Sequence, residues 1–293
     1  MNSDAMIRQL NEVKDIPTLP IIAMEINRMI DNDDTSIEKL SHMIEKDQAI
    51  ASKVIRLVNS SFFGVRSRVT SIRDAVVLIG LNSVRNIVVS VSLVKALSGV
   101  LSRSGFDITL FWKHSVSVAM TCKKLSELSQ MEEPECCFTA GLLHDIGKII
   151  LSQYFPALFE SIIVKAMEGE MSYLAAEKSL TAFGHDKAGA FLATKWKLPA
   201  HLVDVVRFHH TLSQRASNLN LIKIVHASNS IANSLSLSSD MIDENAMDKI
   251  EERINSSVLK DKILAPHLSK AGYWYPELVE KINEACLFFT KEI

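Results

Sequence analysis

Across 293 residues the chain carries only ten glycines and seven prolines, and between those breakers its apolar residues recur at spacings of three and four. A strand needs alternation at two, so the periodicity predicts an all-α fold. In the first segment Leu19, Ile22, Ile26, Met29 and Ile30 form one stripe, preceded by Pro17 and Pro20 and closed by Asp31-Asn32-Asp33-Asp34. Thr35 and Glu38 have the spacing of a capping box, in which hydroxyl and carboxylate satisfy free backbone N–H groups. Ser71 and Asp74 repeat that spacing ahead of a helix over 72–79. Gly80 is placed to end this helix in the left-handed conformation, and Asn82 to cap the next one, over 83–97.

The pattern continues through a helix over 108–128 carrying His114 and a helix containing 139–152 that carries His144, Asp145 and Lys148. A pair over 157–167 and 173–180 follows, then a helix opened by Phe183-Gly184-His185 and one from Pro199 to His210. Helices over 221–235 and 244–254, and a final one from Pro276, complete the chain. No fixed-period repeat and no low-complexity linker divides it. The expectation is a compact multi-helix bundle with an N-terminal helical part (1–100), a histidine-rich part (101–240) and a C-terminal extension (241–293).

With 47% hydrophobic and 23% charged residues the chain can bury a large core, and its net charge of -2 gives no electrostatic reason to expect nucleic acid as a partner. Cys122, Cys136, Cys137 and Cys286 show no CxxC spacing, which suits free thiols in a reducing cytoplasm. The N-terminus lacks a secretory pattern. The most apolar stretch, Ile87 to Val94, is bracketed by Arg85 and Lys95, far short of the roughly 18 residues a membrane span needs. A cytoplasmic protein without a membrane partner is expected.

Six side chains of metal-binding type stand in the middle of the chain: His114, the pair His144-Asp145, His185 and the pair His209-His210. A lone histidine is more often a partly buried ring bonded to a carbonyl. Six in this order shift the balance toward a metal centre. Neighbours on a helix diverge by about 100°, so His144 and Asp145 can both lean toward one ion. Imidazole with carboxylate suits one divalent transition metal, Fe, Mn, Zn or Ni, better than calcium. Lys148, one turn on, is positioned to steady a phosphate or hydroxide.

The stretch GLLHDIGKII resembles the signature of the HD phosphohydrolase superfamily, and FWKHSVSVAM resembles the helix that supplies its first histidine. AFGHDKAGAFLATKWKLPAHLVDVVRFHH is similar both to HD-GYP phosphodiesterases and to their relatives, the HDOD output domains. The N-terminal stretch from LPIIAMEINRM to NSSFFG, followed by SIRDAVVLIGLNSVRNIVVS, is similar to HDOD proteins, so the resemblance covers roughly residues 14 to 235. It implies the ligand set His114, His144, Asp145, His185, His209 and His210, with Lys148 as the nearby cation. Two acidic positions of the HD-GYP pattern are replaced: a glutamate one turn before the first histidine is Leu110, and an aspartate after the double histidine is Asn229. Losing two anions weakens the charge compensation that a multi-ion cluster needs. The GYP loop is absent too, since TLSQRASN follows His210.

What the resemblance implies is a bacterial signalling or regulatory module, without hydrolysis, acting by binding a regulatory protein partner or a small nucleotide ligand. The alternative is a metal-dependent phosphohydrolase, possible substrates including a cyclic dinucleotide, with His144, Asp145 and the other histidines holding metal and Lys148 steadying phosphate. A third reading, DNA binding through the helix pair around Gly80, conflicts with the run Ile87, Val88, Val89, Val91, Leu93 and Val94, which suits packing.

Overall fold

Side chains placed ahead of several apolar runs set where those helices begin. The computed structural model describes residues 3–13, 15–30, 36–60, 63–65, 67–98, 106–234, 250 and 252–290, and no strand occurs among them. The first helices are α1 (Ser3–Glu12), α2 (Ile21–Ile30), α3 (Ile37–Glu45) and α4 (Gln48–Val58). Ser36 caps α3 by accepting from the Lys39 amide at 3.2 Å, and Asp47 caps α4 by accepting from the Ile50 amide at 3.1 Å. Thr35 lies outside the described residues, as do Asp31 to Asp34, 99–105 and 235–249, which held most of the helix expected over 244–254.

At α5 (Ile72–Ile79) the Ser71 and Asp74 capping box forms in both directions. Gly80 follows with φ 86° and ψ 157°, positive as only glycine readily allows, but extended rather than left-handed helical. That geometry turns the chain directly into α6 (Leu81–Ser98), so Asn82 falls inside the first turn and accepts from Arg85 Nη1 at 3.2 Å instead of capping. Along α6 Val84, Ile87, Val88, Val89, Val91, Leu93 and Val94 are all buried, so this helix belongs to the core.

The second half is built on α7 (Ile108–Ser129), started by Asp107, whose carboxylate accepts from the Leu110 amide at 2.9 Å. Around it stand α8 (Pro134–Leu143), α9 (Gly147–Tyr154), α10 (Pro156–Glu168), α11 (Tyr173–Leu180), α12 (His185–Lys195), α13 (Ala200–Phe208) and α14 (Leu219–Ser234). Short α15 (Ser256–Leu259) and α16 (Ala265–Leu268) lead to α17 (Ala271–Thr290). Helix α7 packs against α8, α14 and α17, while α9 and α13 both pack on α12. Helix α17 starts five residues before Pro276, because Trp274 donates to His267 O at 3.0 Å and buried Tyr275 anchors the turn ahead of the proline.

The helix expected to contain 139–152 is instead two. Helix α8 stops at Leu143 and α9 begins at Gly147, and the junction is closed by the shorter bonds Ile146 N to Leu143 O (3.0 Å) and Lys148 N to Asp145 O (2.9 Å). Trp196 Nε1 donates to Pro17 O at 2.7 Å and Tyr154 OH to Asp15 O at 2.8 Å, which ties the N-terminal segment to the second half. One apolar core runs from Met6 to Phe289. Among the described residues no single helix is long and apolar enough to cross a membrane. A pair that passes together, over 134–154 and 156–168, is bent by 116°.

Candidate metal centre

The break between α8 and α9 is where the site begins. His144 and Asp145 occupy the turn rather than a continuous helix, and both are essentially removed from solvent. Gly147 allows this turn to approach the start of α12: a Cβ there would lie 1.8 Å from His185 O and 2.6 Å from the Gly189 amide. With the two backbones in contact, Asp145 faces His185. His209 and His210 arrive at the end of α13, and His114 from the middle of α7. All six expected side chains are thus brought together in two overlapping groups that share Asp145.

In the first group donor atoms of Asp145, His185, His209 and His210 all lie within 4.8 Å of one another. Asp145 Oδ1 is 3.3 Å from His185 Nε2 and 3.7 Å from His209 Nε2. His185 Nε2 is 3.4 Å from His209 Nε2 and 3.0 Å from His210 Nε2. For a metal–ligand bond of about 2.1 Å, neighbouring donors of a tetrahedral or octahedral shell stand roughly 3.0 to 3.4 Å apart, so these separations fit a single transition ion.

The outward ring nitrogens point to the same conclusion. His144 Nδ1 lies 2.7 Å from Gly141 O, His209 Nδ1 lies 3.0 Å from Val206 O, and His185 Nδ1 lies 2.8 Å from Glu177 Oε2. Those oxygens only accept, so each Nδ1 donates its proton and leaves the inward Nε2 of a neutral ring as a lone pair. His144 Nε2 and Asp145 Oδ1 are buried without any hydrogen-bond partner. Converging lone pairs and an orphaned carboxylate oxygen repel one another unless a cation stands between them. The residues present therefore fit a bound metal ion.

The second group, His114, His144 and Asp145, is different. Asp145 Oδ2 is 3.4 Å from His114 Nε2 and 3.4 Å from His144 Nε2, but Lys148 Nζ sits on the same oxygen at 2.5 Å. The ammonium also lies 4.8 Å from the Tyr173 ring centroid, a cation–π contact that holds it in place. Leu110, one turn before His114 on α7, is 62% exposed and supplies no charge. Asn229 is buried in α14, where its side-chain oxygen accepts from Asn233 Nδ2 at 2.7 Å.

Electrostatics follow from this layout. Burial opposes ionisation of Asp145, yet His144, Lys148 and His114 outweigh it and hold the carboxyl well below the usual range. Burial also disfavours a charged His185, but the carboxylates of Asp145 and Glu177 on its two sides lift it to about 9. In the metal-free chain a proton on His185 Nε2 therefore takes the cation's place, facing His210. Burial together with neighbouring imidazoles pushes His209 far down and His210 down to about 2.

Two supporting residues lie outside the expected set. Glu177 is buried and accepts from both the His185 amide and its Nδ1, each at 2.8 Å. Its place four residues after Tyr173, on the inward stripe of α11 with Ala176, is the signal that reveals it. His226 braces the double histidine from α14, with Nδ1 2.8 Å from His209 O.

Comparison with known proteins bears on the fold that carries this cluster. A model of the HDOD domain matches residues 16–212, well over half of the chain. An uncharacterized protein of Treponema pallidum (strain Nichols) is 27% identical over 206 residues, 69% of this chain, which spans only 39% of that relative's length. An HDOD domain protein from Geobacter sulfurreducens superposes with a TM-score of 0.79 at 21% identity, covering 96% of this chain and 97% of the other. A Shewanella amazonensis protein with a provisional phosphohydrolase assignment gives 0.69 at 25% identity, covering 94% and 97%. From the extent of the domain match, the chain belongs to the HDOD family.

Proposed function

We propose that this chain is a regulatory HDOD module that holds one transition metal ion at Asp145, His185, His209 and His210 and works by binding, without turning over a phosphate ester. The observation that carries the reading is Lys148 Nζ on Asp145 Oδ2 at 2.5 Å, within the group where a second ion needs that oxygen. A fixed ammonium supplies the positive charge a second metal would bring. Leu110 and Asn229 add no anion to recruit one, so the site is matched to a single divalent ion. One ion buried among four protein ligands contributes to folding and can couple to a partner.

A phosphohydrolase reading retains one favourable observation. His114 and Lys148 keep 23% and 22% of their side-chain surface, so water and a phosphate can reach the outer edge of the site. A metal ion held by the neighbouring Asp145 and histidines would supply Lewis acidity there, and Lys148 would meet a phosphate oxygen. Elemental analysis of protein purified without nickel chromatography, paired with multiple-turnover assays on a generic phosphodiester and on nucleotides, separates the two. One equivalent of metal without turnover supports the module. Two equivalents with turnover that His144→Ala abolishes would overturn it.

A further inference from the structure

Helix α12 has two working faces. His185, Ala188, Gly189 and Leu192 point inward, with His185 at the metal centre, while Lys187, Phe191, Thr194 and Lys195 recur at helical spacing on the opposite side. That outer stripe forms one wall of a groove of about 870 Å³, closed by α13 and by Ile7 and Asn11 of α1. Its apolar lining with exposed surface is Ile7 and the partly buried rings of Phe191 and Phe208, while Phe183 is fully buried. Its rim is cationic. Lys187, Lys195, Lys197 and Arg207 line it, against Asp186 as the one acid among the described lining residues.

This local excess stands on a chain whose net charge is -2. Lys195, Lys197 and Arg207 make no ion pair with any described carboxylate, and Asp186 Oδ1 is engaged by the Lys187 amide at 2.8 Å. Lys195 instead lies 5.4 Å from the centroid of the Phe191 ring, and Arg207 lies 6.0 Å from that of Phe208. The cations come from α12, the turn after it and α13, spread around the rim rather than gathered as a phosphate cradle on a helix N-terminus. An open apolar floor between helices with distributed positive charge is the complement of an amphipathic helix whose polar face is acidic.

We infer that the groove between α1 and α12–α13 is the docking site for an acidic amphipathic helix of a partner protein. The inference rests on the regulatory reading above for its partner, and it adds the partner's chemistry and its place. Because α12 and α13 carry both the groove wall and the ligands His185, His209 and His210, docking and metal binding are linked, and each alters the affinity of the other by the same factor.

The probe is a fluorescein-labelled 16-residue peptide with leucines at i, i+3, i+4 and i+7 spacing and glutamates elsewhere, read by anisotropy. Its controls are a scrambled peptide and one with lysine for glutamate. The acidic amphipathic peptide should bind, weaken with added salt, and lose at least tenfold in affinity on Lys195→Glu with Arg207→Glu and, separately, on Phe191→Ala. Metal content and helical circular dichroism should stay unchanged in these groove variants, which separates failure of the groove from failure of the metal centre. Equal binding of all three peptides would overturn the proposal. So would saturable binding of AMP or ATP without peptide binding, or self-association of the chain that Lys195→Glu abolishes.

Discussion

Asp145 Oδ1 faces His185 Nε2 at 3.3 Å while its Oδ2 holds Lys148 Nζ at 2.5 Å, so one buried carboxylate serves two cationic positions of different kind. One is open to a metal ion and the other is filled by the protein itself. His209→Ala removes a donor from the first position and should take the metal content from one equivalent to near zero. His114→Ala touches only the second and should leave it near one. Elemental analysis of both variants checks this, and equal loss from the two would place the ion elsewhere.

Proton release follows from the opposite shifts of neighbouring rings. His185 is raised to about 9, whereas His210 is pushed down to about 2 and His209 well down, so near pH 7.5 the metal-free site carries one proton, on His185. Metal binding must expel it. Calorimetric titration with zinc in buffers of different ionisation enthalpy should show about one proton released at pH 7.5 and progressively less above pH 9. The raised value also means that His185 stabilises the metal-free fold fully below its unfolded pKa of about 6.5 and loses that contribution as pH rises through about 9.

Glu177 acts through His185. Its carboxylate accepts from the His185 amide and Nδ1, fixing the tautomer that leaves Nε2 free. Glu177→Gln keeps the shape but removes the charge, and should weaken metal affinity by about 10- to 100-fold while leaving helical content intact. Competition with a chelating dye measures it, and unchanged affinity would reduce Glu177 to a packing role.

That six side chains cluster was legible because each sits in a local motif whose neighbours announce it, as in LLHDIG and RFHH. What surrounds them was not. The residues from Leu142 to Ile149 continue a helical pattern, and only the pressing of α9 against α12 breaks it at His144 to Ile146. The inward stripe of α11 marks Glu177 as a buried acid, but its pairing with His185, eight residues on and in another helix, is not encoded by that stripe. Asn82 misleads for a related reason: it has the chemistry of a cap, but the extended ψ of Gly80 starts α6 two residues earlier, at Leu81. Helix existence is written in local periodicity. Helix breaks and the residues that brace the ligands depend on tertiary contact.

Leu110 offers a gain-of-function test. It stands one turn before His114 at 62% exposure, so a longer acidic side chain there meets solvent rather than the core and should cost little stability. Leu110→Glu combined with Lys148→Met restores an anion and clears Asp145 Oδ2, and should raise metal content from one toward two equivalents. Metal content remaining at one would show that Asn229 or the shape of the second group, rather than charge alone, limits it.

Gly147 governs whether the site exists at all. A Cβ at this position falls 1.8 Å from His185 O and 2.6 Å from the Gly189 amide, and both are backbone atoms of α12 that cannot rotate aside. Gly147→Ala must therefore push α9 from α12, lowering stability by about 3 kcal/mol and separating Asp145 from His185. Loss of metal should come with a fall in melting temperature that added zinc does not reverse. In His209→Ala the fold should keep its metal-free melting temperature, so comparing the two variants distinguishes a broken scaffold from a missing ligand.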